Sequence, residues 1–478
     1  MDAGANFVNR GTRPARKFSD GIGPVPSVLI IAIGALFGLG VMPADAQPAG
    51  AMRTSAIALT FSLLLVPAIE ALALGVKPAL KIRNLLLAGI VYWLLADLIQ
   101  GLYDIDATPH AVEIAFLATG LFAVGISLGG AIRSGGMPAG IRRLARLDLS
   151  DRQILACTAF CFVAGVFYYI YMAGFSPSRI IEGLLYSDRF SAPWARGALG
   201  DWRSFLEQLS YFGYLLPLFT AVMYMRSRTL LSAKTVFCAL LSACHLAFLA
   251  QGGGRTAIGA VLGAAILVGI HLTRRTVRPI HFIPIFAALF VAQVTMNVML
   301  ENRSIGLGKL EVSDWTFSRI RVDDNFYRLA QTTDFVPLFF PYSGLQFVYF
   351  SLVRPIPRAL WPGKPVYQGF TVQQALGDTD TSFTNSVIGE AYSGFGFPLV
   401  FAMGMFFGLA ARWWEQTLED HPTSGGVMVY ALGAMALFTA LRGFVNIVLF
   451  SYPILSLWAA AALFRLTRAR LVRGRRFA

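Results

Sequence analysis

Charge is scarce in this chain: Asp, Glu, Lys and Arg make up 14% of its 478 residues, whereas 56% are hydrophobic. Its mean hydropathy is +0.61. A soluble protein could not bury so large an apolar fraction behind so few charged side chains. The composition therefore excludes soluble enzymes. It also excludes nucleic-acid-binding modules despite a net charge of +14, because membrane proteins concentrate Lys and Arg on their cytoplasmic side.

Cysteine is rarer still, and none of the four cysteines lies in a predicted loop. Cys157, Cys161, Cys238 and Cys244 all fall within apolar stretches. This placement excludes a disulfide framework and a cysteine-based zinc site. The histidines show no ligand spacing either. We therefore expect no metal ion and no other cofactor.

Acidic side chains are nearly absent from the middle of the apolar stretches, where only Glu70 and Asp97 occur. A transporter coupled to ions usually has more intramembrane charges, together with helices broken at matching places in two halves. The sequence therefore favours contacts within a helix bundle for these two acids, and a role in transport stays an alternative.

The chain does contain many long uncharged stretches. A transmembrane helix needs about 20 apolar residues to cross about 30 Å of hydrocarbon. Twelve stretches approach or reach that length, which predicts an all-α polytopic membrane protein with about 12 transmembrane helices. They are 26–42, 55–74, 84–102, 111–131, 154–174, 204–225, 235–251, 256–272, 280–299, 394–411, 425–441 and 443–464.

The connections between these spans differ in positive charge. Of the 40 Lys and Arg residues, 25 lie in segments on the same side as the N-terminus. The positive-inside rule then places both termini in the cytoplasm. The predicted organisation is a basic N-terminus, helices 1–9, a large outer loop, helices 10–12 and a basic tail, at 1–25, 26–299, 300–393, 394–464 and 465–478.

Fifteen Lys and Arg residues remain on the predicted outer side, and twelve of them lie in loops 175–203 and 300–393. Since topology disfavours positive charge there, we expect these side chains to serve another purpose. In the first loop the candidates are Arg189 and Arg196, for which anchoring to lipid headgroups stays an alternative.

Two isolated arginines stand at predicted outer turns. Arg255 follows three glycines in QGGGRT and begins the next span, so that it lies beside the positive end of a helix dipole, an arrangement suited to phosphate. Arg442 is the single charge within the 40 residues 425–464, where a lone charge tends to be functional. For Arg255, an arginine reaching towards lipid headgroups is the alternative.

The loop 300–393 contains the densest group of charged and aromatic residues. Its first motif places Arg321 and Arg328 around DDNFY, with Asp324 and Arg328 at helical i, i+4 spacing. Its second motif, VRPIPRALWPGKP, is predicted to be extended because four prolines stiffen it. There, Arg354 and Arg358 could bind phosphate and Trp361 could bind a sugar face. Glu390 follows as a carboxylate just before the tenth span. The alternative is a solvated loop of mixed charge.

Within this loop, residues 335–353 are long enough to span a membrane. Pro337, Pro341 and Gly344 interrupt the stretch, and a thirteenth span would place the basic tail outside. We predict that the segment is interfacial or re-entrant.

The order of these motifs resembles the bacterial oligosaccharide repeat-unit polymerases, the Wzy-type O-antigen and exopolysaccharide polymerases. The resemblance covers most of 150–460 and depends on GGGRTAIG, DDNFYRLAQ, VRPIPRALWPGKP, TNSVIGEAYSGFG and the late LRG. The family also carries an Arg-x10-Gly pattern in two outer loops, which Arg189 with Gly200 and Arg358 with Gly369 match.

The resemblance implies an enzyme similar to O-antigen ligases and the GT-C glycosyltransferases. Such an enzyme transfers a glycan from undecaprenyl diphosphate to a lipid-linked repeat unit at the periplasmic face of the bacterial inner membrane. It implies no nucleotide sugar and no obligatory metal. The partners would be the lipid-linked oligosaccharide, the bilayer and a chain-length regulator, with no nucleic acid.

Cations placed in advance would stabilise the charge that develops on the departing diphosphate, and a carboxylate would accept the proton of the acceptor hydroxyl. We assign diphosphate binding to Arg255, Arg358 and Arg442, with Arg354 and Arg321 as further candidates. Arg328, Arg189, Arg196 and Trp361 complete the predicted substrate site. Glu390 or Asp324 would be the base.

Three other functions stay open. An O-antigen ligase would use the same donor with another acceptor. A flippase or transporter for lipid-linked sugars would have charges along a continuous path between its helices. A non-catalytic assembly scaffold would not depend on any single outer arginine.

Overall fold

The computed structural model describes residues 22–188, 191–195, 203–273, 290–295, 297, 320–358, 360–377, 383–418 and 423–474. Within these ranges the regular elements are helices, with no β-strand, which confirms the all-α prediction. Eight of the described helices are long and apolar enough to cross a membrane. The chain is therefore a polytopic, membrane-embedded protein.

We number the described helices in chain order. They are α1 (Pro24–Gly40), α2 (Arg53–Leu74), α3 (Val76–Ala79), α4 (Ile82–Gln100), α5 (Pro109–Gly129), α6 (Ala139–Ala145), α7 (Asp151–Met172), α8 (Pro177–Leu185), α9 (Arg203–Glu207), α10 (Leu216–Ser227), α11 (Ala233–Gln251), α12 (Arg255–Leu272), α13 (Asn325–Phe335), α14 (Gln346–Val353), α15 (Val372–Ala375), α16 (Val387–Phe395), α17 (Phe397–Glu415), α18 (Ser424–Ala440), α19 (Val445–Leu449) and α20 (Tyr452–Gly474). Helix α4 contains a π turn at Val91–Leu95, and 3₁₀ helices lie at Gln208–Leu215 and Gln416–Leu418.

The eight long apolar helices coincide with eight of the predicted spans. The predicted spans 26–42 and 425–441 correspond to α1 and α18, which have 17 residues each. The predicted span 204–225 is divided, because α9, a 3₁₀ helix and α10 follow one another along it. The predicted span 280–299 lies largely outside the described residues.

Residues 335–353 contain no helix that could span a membrane, as predicted. Helix α13 ends at Phe335, and α14 has eight residues, a length of about 12 Å. Several large apolar side chains between and along these helices are exposed, among them Leu338, Phe339 and Leu352. Whether the segment lies in the membrane interface stays a prediction.

Two glycine pairs bring α5 and α17 into close contact. Gly125 and Gly129 lie on one face of α5, and Gly404 and Gly408 lie on one face of α17, because residues four apart share a helix face. A Cβ atom added at Gly129 would lie 2.1 Å from the Met405 carbonyl oxygen. This contact excludes any larger residue, as in other closely packed membrane helices.

Helix α18 forms the centre of the bundle and carries the chain to Arg442. All of its residues except Phe438 are buried. A helix that is apolar on every side is stable only when other helices surround it. The turn that follows α18 and contains Arg442 is therefore fixed in position.

Contacts between connecting segments gather at two ends of the bundle. One end, here named the Arg442 end, joins segments 45–50, 101–108, 187–195, 251–256, 320–334, 383–390 and 441–444. The other, here named the Glu70 end, joins segments 70–84, 134–151, 226–234, 273 and 415–424.

Candidate functional site

Arg442 lies at the turn between α18 and α19, as the sequence predicts. Its Nε donates to a carboxylate oxygen of Asp323, and its Nη1 lies 3.5 Å from Thr256 Oγ1. The Cζ atom is 6.0 Å from the centroid of the Trp93 ring. The arginine side chain is 28% exposed and that of Asp323 is 9% exposed. One edge of the guanidinium thus meets a buried acid, while part of the group faces outward.

Arg255 is the first residue of α12, as predicted, and it follows a turn that requires glycine. Gly253 has φ 68°, which lies in the left-handed region that favours glycine. Thr256, the next residue, places its Oγ1 3.5 Å from Arg442 Nη1. The structure therefore brings together two of the three arginines to which diphosphate binding was assigned.

The π turn in α4 presents a second set of side chains to this site. Tyr92 donates from its hydroxyl to Gln293 Oε1 at 2.8 Å. A π turn displaces backbone carbonyls from their usual helical partners, and the Trp93 carbonyl accepts a hydrogen bond from Asn325 Nδ2 at 3.3 Å. Tyr92, Trp93 and Asn325 were not among the predicted site residues, and no periodic pattern in the sequence distinguishes a π turn from an α-helix.

Asp97 follows the π turn and is only 3% exposed. Its Oδ1 accepts a hydrogen bond from the Val322 N–H at 2.9 Å. Gln100, one turn later, exchanges two hydrogen bonds with the backbone of Ile320. These contacts fix the start of the DDNFYR motif against α4.

The predicted pairing within this motif is confirmed, since Arg328 Nε donates to Asp324 Oδ2 at 2.8 Å. Arg328 also donates to Gln331 Oε1 at 2.8 Å. Its Cζ lies 3.6 Å from the centroid of the Phe383 ring. Burial raises the pKa of Asp324, and the Arg328 charge opposes that rise. Arg328, a predicted substrate ligand, thus also stabilises α13 through these contacts.

Glu390 lies beneath the Arg442 turn and is 3% exposed. Its Oε2 accepts a hydrogen bond from the Phe444 N–H at 2.7 Å. Burial raises the pKa of Glu390 to about 8, although the Phe444 hydrogen bond acts in the opposite direction. Nearby, both polar side-chain atoms of Asn385 are buried without a partner among the described residues. Burial thus favours the protonated form of Glu390, and its hydrogen bond with the Phe444 N–H supports the turn from below.

The prediction of an extended VRPIPRALWPGKP segment is wrong, because the segment folds into successive turns. The Lys364 ammonium donates to the carbonyls of Arg354 and Ile356, at 2.8 and 2.7 Å. The Arg358 guanidinium donates to the carbonyls of Lys364 and Pro365, at 3.0 and 3.2 Å. These donors satisfy carbonyls that an extended chain would leave to solvent. Burial is the main cause that lowers the pKa of Lys364, followed by the charges of Arg354 and Arg358.

The remaining predicted residues occupy different surroundings. Arg354 and Arg321 have exposed side chains, and Trp361 is half-buried. Arg354 lies 5.6 Å from the centroid of the Phe350 ring. Arg189 and Arg196 lie outside the described residues.

Between those two positions, Trp194 attaches its loop to the glycine turn before Arg255. Trp194 Nε1 donates to Gln251 Oε1 at 2.7 Å, and Gln251 Nε2 donates to the Asp188 carbonyl at 3.1 Å. Gln251 directly precedes GGGR and was not predicted to have a role.

The site therefore consists of two partly exposed arginines, Arg255 and Arg442, bordered by Asp323, Thr256 and Tyr92. Three carboxylates approach this border, those of Asp97, Asp323 and Asp324. Across the described part of the chain, no three His, Cys, Asp or Glu side chains are arranged to hold a metal ion. Such a site has the chemistry to bind an anion through guanidinium groups.

Comparison of the chain with known protein families, with curated proteins and with solved structures gave no match.

Proposed function

We propose that this chain is a membrane glycosyltransferase that joins undecaprenyl-diphosphate-linked oligosaccharide repeat units at the periplasmic face of the bacterial inner membrane, in O-antigen or exopolysaccharide synthesis. The observation that carries the proposal is the meeting of Arg442 with Thr256 and Asp323 beside Arg255. In this proposal the chain has about twelve transmembrane helices with a GT-C-like arrangement and both termini in the cytoplasm. The Arg442 end then faces the periplasm.

The reaction needs stabilisation of negative charge. The acceptor hydroxyl oxygen forms a bond to the anomeric carbon of the donor glycan, and the bond from that carbon to the diphosphate breaks. Its electron pair stays on the diphosphate, while the hydroxyl proton passes to a base. Arg255 and Arg442 would bind the diphosphate oxygens, because fixed cations in a partly enclosed site stabilise charge that develops during the reaction.

Of the two candidate bases, Asp324 fits the proposal better. Its side chain is 37% exposed, and its raised pKa makes it a stronger proton acceptor than a free aspartate. Glu390 is enclosed beneath the Arg442 turn, where burial favours its protonated form. Asp324 would accept the proton after its ion pair with Arg328 loosens.

The folded VRPIPRALWPGKP segment would bind the carbohydrate and its diphosphate from the other side of the turn. Helix α14, which precedes the segment, contacts the turn through Phe347 and Phe444, whose ring centroids are 5.7 Å apart. Trp361 would provide a flat surface for a sugar ring. Arg358 would bind a phosphate through the N–H groups that do not donate to the Lys364 and Pro365 carbonyls.

The test uses a host that lacks its own copy of the gene and is complemented with variants of this chain. We expect Arg442→Ala and Arg255→Ala each to reduce polymer at least about tenfold, because a hydrogen bond to a charged group contributes about 1.5–3 kcal/mol. Single repeat units should then reach the surface acceptor. Polymer length is read on gels, and lipid-linked intermediates are identified by mass spectrometry.

Arg179→Ala is the matched control, since Arg179 is an exposed arginine of loop 175–203 outside the proposed site. It should leave polymer length unchanged at equal protein level. Polymer of normal length from both site variants would contradict the proposal. Repeat units retained on the inner leaflet would indicate a flippase instead. Loss of both the polymer and the single repeat units attached to the surface acceptor would indicate a ligase.

A further inference from the structure

We propose that Asp323 is a positioning residue of this site: its carboxylate fixes one edge of the Arg442 guanidinium so that the other edge faces a polyprenyl diphosphate. This inference rests on the proposed function and assigns a role to a residue outside the set predicted from the sequence. It follows from the hydrogen bonds, exposure and backbone anchoring of the Asp323–Arg442 pair.

The contacts of Arg442 leave donors for a ligand. A guanidinium has five N–H groups; Nε is bonded to Asp323, and Nη1 has a long contact of 3.5 Å to Thr256. Among the described residues, no other acceptor lies within hydrogen-bond distance of this guanidinium. The acid is the more enclosed partner, at 9% exposure against 28% for the arginine. Asp323 therefore lies behind Arg442 as seen from the open side of the site.

Asp323 is itself held in place through the backbone. Its Oδ1 accepts a hydrogen bond from the Asp324 N–H at 3.1 Å. The buried carboxylate of Asp97 accepts a hydrogen bond from the Val322 N–H at 2.9 Å, directly before Asp323 in the chain. A series of contacts thus runs from α4 through the 322–323 backbone to the Arg442 guanidinium. This series fixes the direction in which the arginine points.

Such fixing has a defined chemical purpose. Arginine has a long flexible side chain, and its planar group binds two oxygens of one phosphate only when it has the right orientation. A carboxylate on the rear edge sets that orientation before the ligand arrives. Catalytic and binding groups are commonly oriented by such a supporting partner.

The inference is tested by a double-mutant cycle on ligand binding. The purified full chain, reconstituted in nanodiscs, is titrated with undecaprenyl diphosphate as the wild type, Asp323→Asn, Arg442→Ala and the double variant. We expect Asp323→Asn to weaken binding about tenfold, within the range usual for coupled neighbouring residues. In the Arg442→Ala background the same substitution should change nothing further, since the arginine that Asp323 positions is gone.

Asp334→Asn is the matched control. Asp334 belongs to the same helix-containing segment and accepts a hydrogen bond from Thr108 at 2.6 Å, but it does not contact the arginine. It should leave the affinity unchanged. Melting temperatures of all variants identify any that are misfolded, and Asp323→Glu gives a second test, because a carboxylate at this position should restore part of the affinity.

The outcomes separate the two proposals. No binding of undecaprenyl diphosphate by the folded wild type would overturn the proposed function and the inference with it. Binding by the wild type with an equal or tighter affinity of Asp323→Asn would overturn the inference alone. An equal loss in both backgrounds would also overturn it, because Asp323 would then act independently of Arg442.

Discussion

The two ends of the bundle use the same types of charged residue in different ways. At the Glu70 end, Glu70 is fully buried and its carboxylate accepts hydrogen bonds from Arg83, from Asn84 Nδ2 at 2.7 Å and from the Ile22 N–H at 3.0 Å. Lys81 lies 3.9 Å away. At the Arg442 end, the cation of the pair remains partly exposed and has donors left over. One end is closed around its charges, whereas the other is open.

The difference shows how structural and ligand-binding charges can be separated in one membrane protein. A buried carboxylate that has several partners is stable without a ligand, and its removal leaves cations uncompensated. A partly exposed arginine with a single strong partner can accept an external anion without breaking the fold. Whether all of its hydrogen-bonding groups have partners therefore distinguishes a structural charge from a ligand-binding one better than residue type or burial alone.

The largest effect on stability should follow from Glu70→Ala. Removing this carboxylate breaks its hydrogen bond with Arg83 and leaves Arg83 and Lys81 with Glu415 as their remaining acidic neighbour. Breaking a buried pair costs about 3–5 kcal/mol. We expect a sharp loss of folded protein, measured by thermal unfolding of the purified chain and by its yield in membranes. Polymer per folded molecule should stay unchanged.

Arg442→Ala provides the contrast to this variant. It should reduce activity while shifting the unfolding free energy by much less than Glu70→Ala does. If the two variants destabilised the chain equally, the distinction between a closed and an open end would have no functional meaning.

A smaller effect concerns pH and Glu390, which lies behind the Arg442 turn. The pKa of this carboxyl is about 8 in the folded chain and 4.5 in an ordinary setting. The folded state therefore binds more protons between these pH values. The contribution of Glu390 to the free energy of unfolding is therefore fully present below about pH 4.5 and declines as the pH rises towards 8. Melting temperatures of the wild type should fall across this interval.

Glu390→Gln keeps a hydrogen-bond acceptor for the Phe444 N–H and cannot ionise. The melting temperature of the variant should therefore depend less on pH between 5 and 8 than that of the wild type. Over this interval, the free energy of unfolding of the variant should change less than that of the wild type, by at least about 1 kcal/mol. Identical slopes for the two proteins would show that Glu390 does not titrate in this interval.

Local and periodic features of the fold could be predicted from the sequence. The apolar stretches predict the long helices, because a span depends on length and composition alone. Arg255 after its glycines and Arg442 between two apolar helices were placed at turns for the same reason. The Asp324–Arg328 pair needs only helical spacing. Each of these features depends on residues close together in the chain.

Features that depend on distant residues could not be predicted. Asp323 and Arg442 are separated by 119 positions, and nothing in either motif specifies its partner. The π turn that presents Trp93 to Asn325 has no sequence signature. In VRPIPRALWPGKP, the prolines indicated an extended chain, but the Lys364 ammonium draws backbone carbonyls together. A single buried donor thus outweighed the local preference.

The smallest expected effect is that of Arg321→Ala, two residues before Asp323. Its side chain is exposed, and the backbone carbonyl, which accepts a hydrogen bond from Gln293 Nε2 at 3.3 Å, survives the substitution. Exposed substitutions of this kind usually change stability by less than about 0.5 kcal/mol. We expect polymer output close to that of the wild type, since so small a change in stability leaves nearly all of the protein folded. A loss as large as that of Arg442→Ala would place Arg321 in the site and show that an arginine needs no anchoring carboxylate to act there.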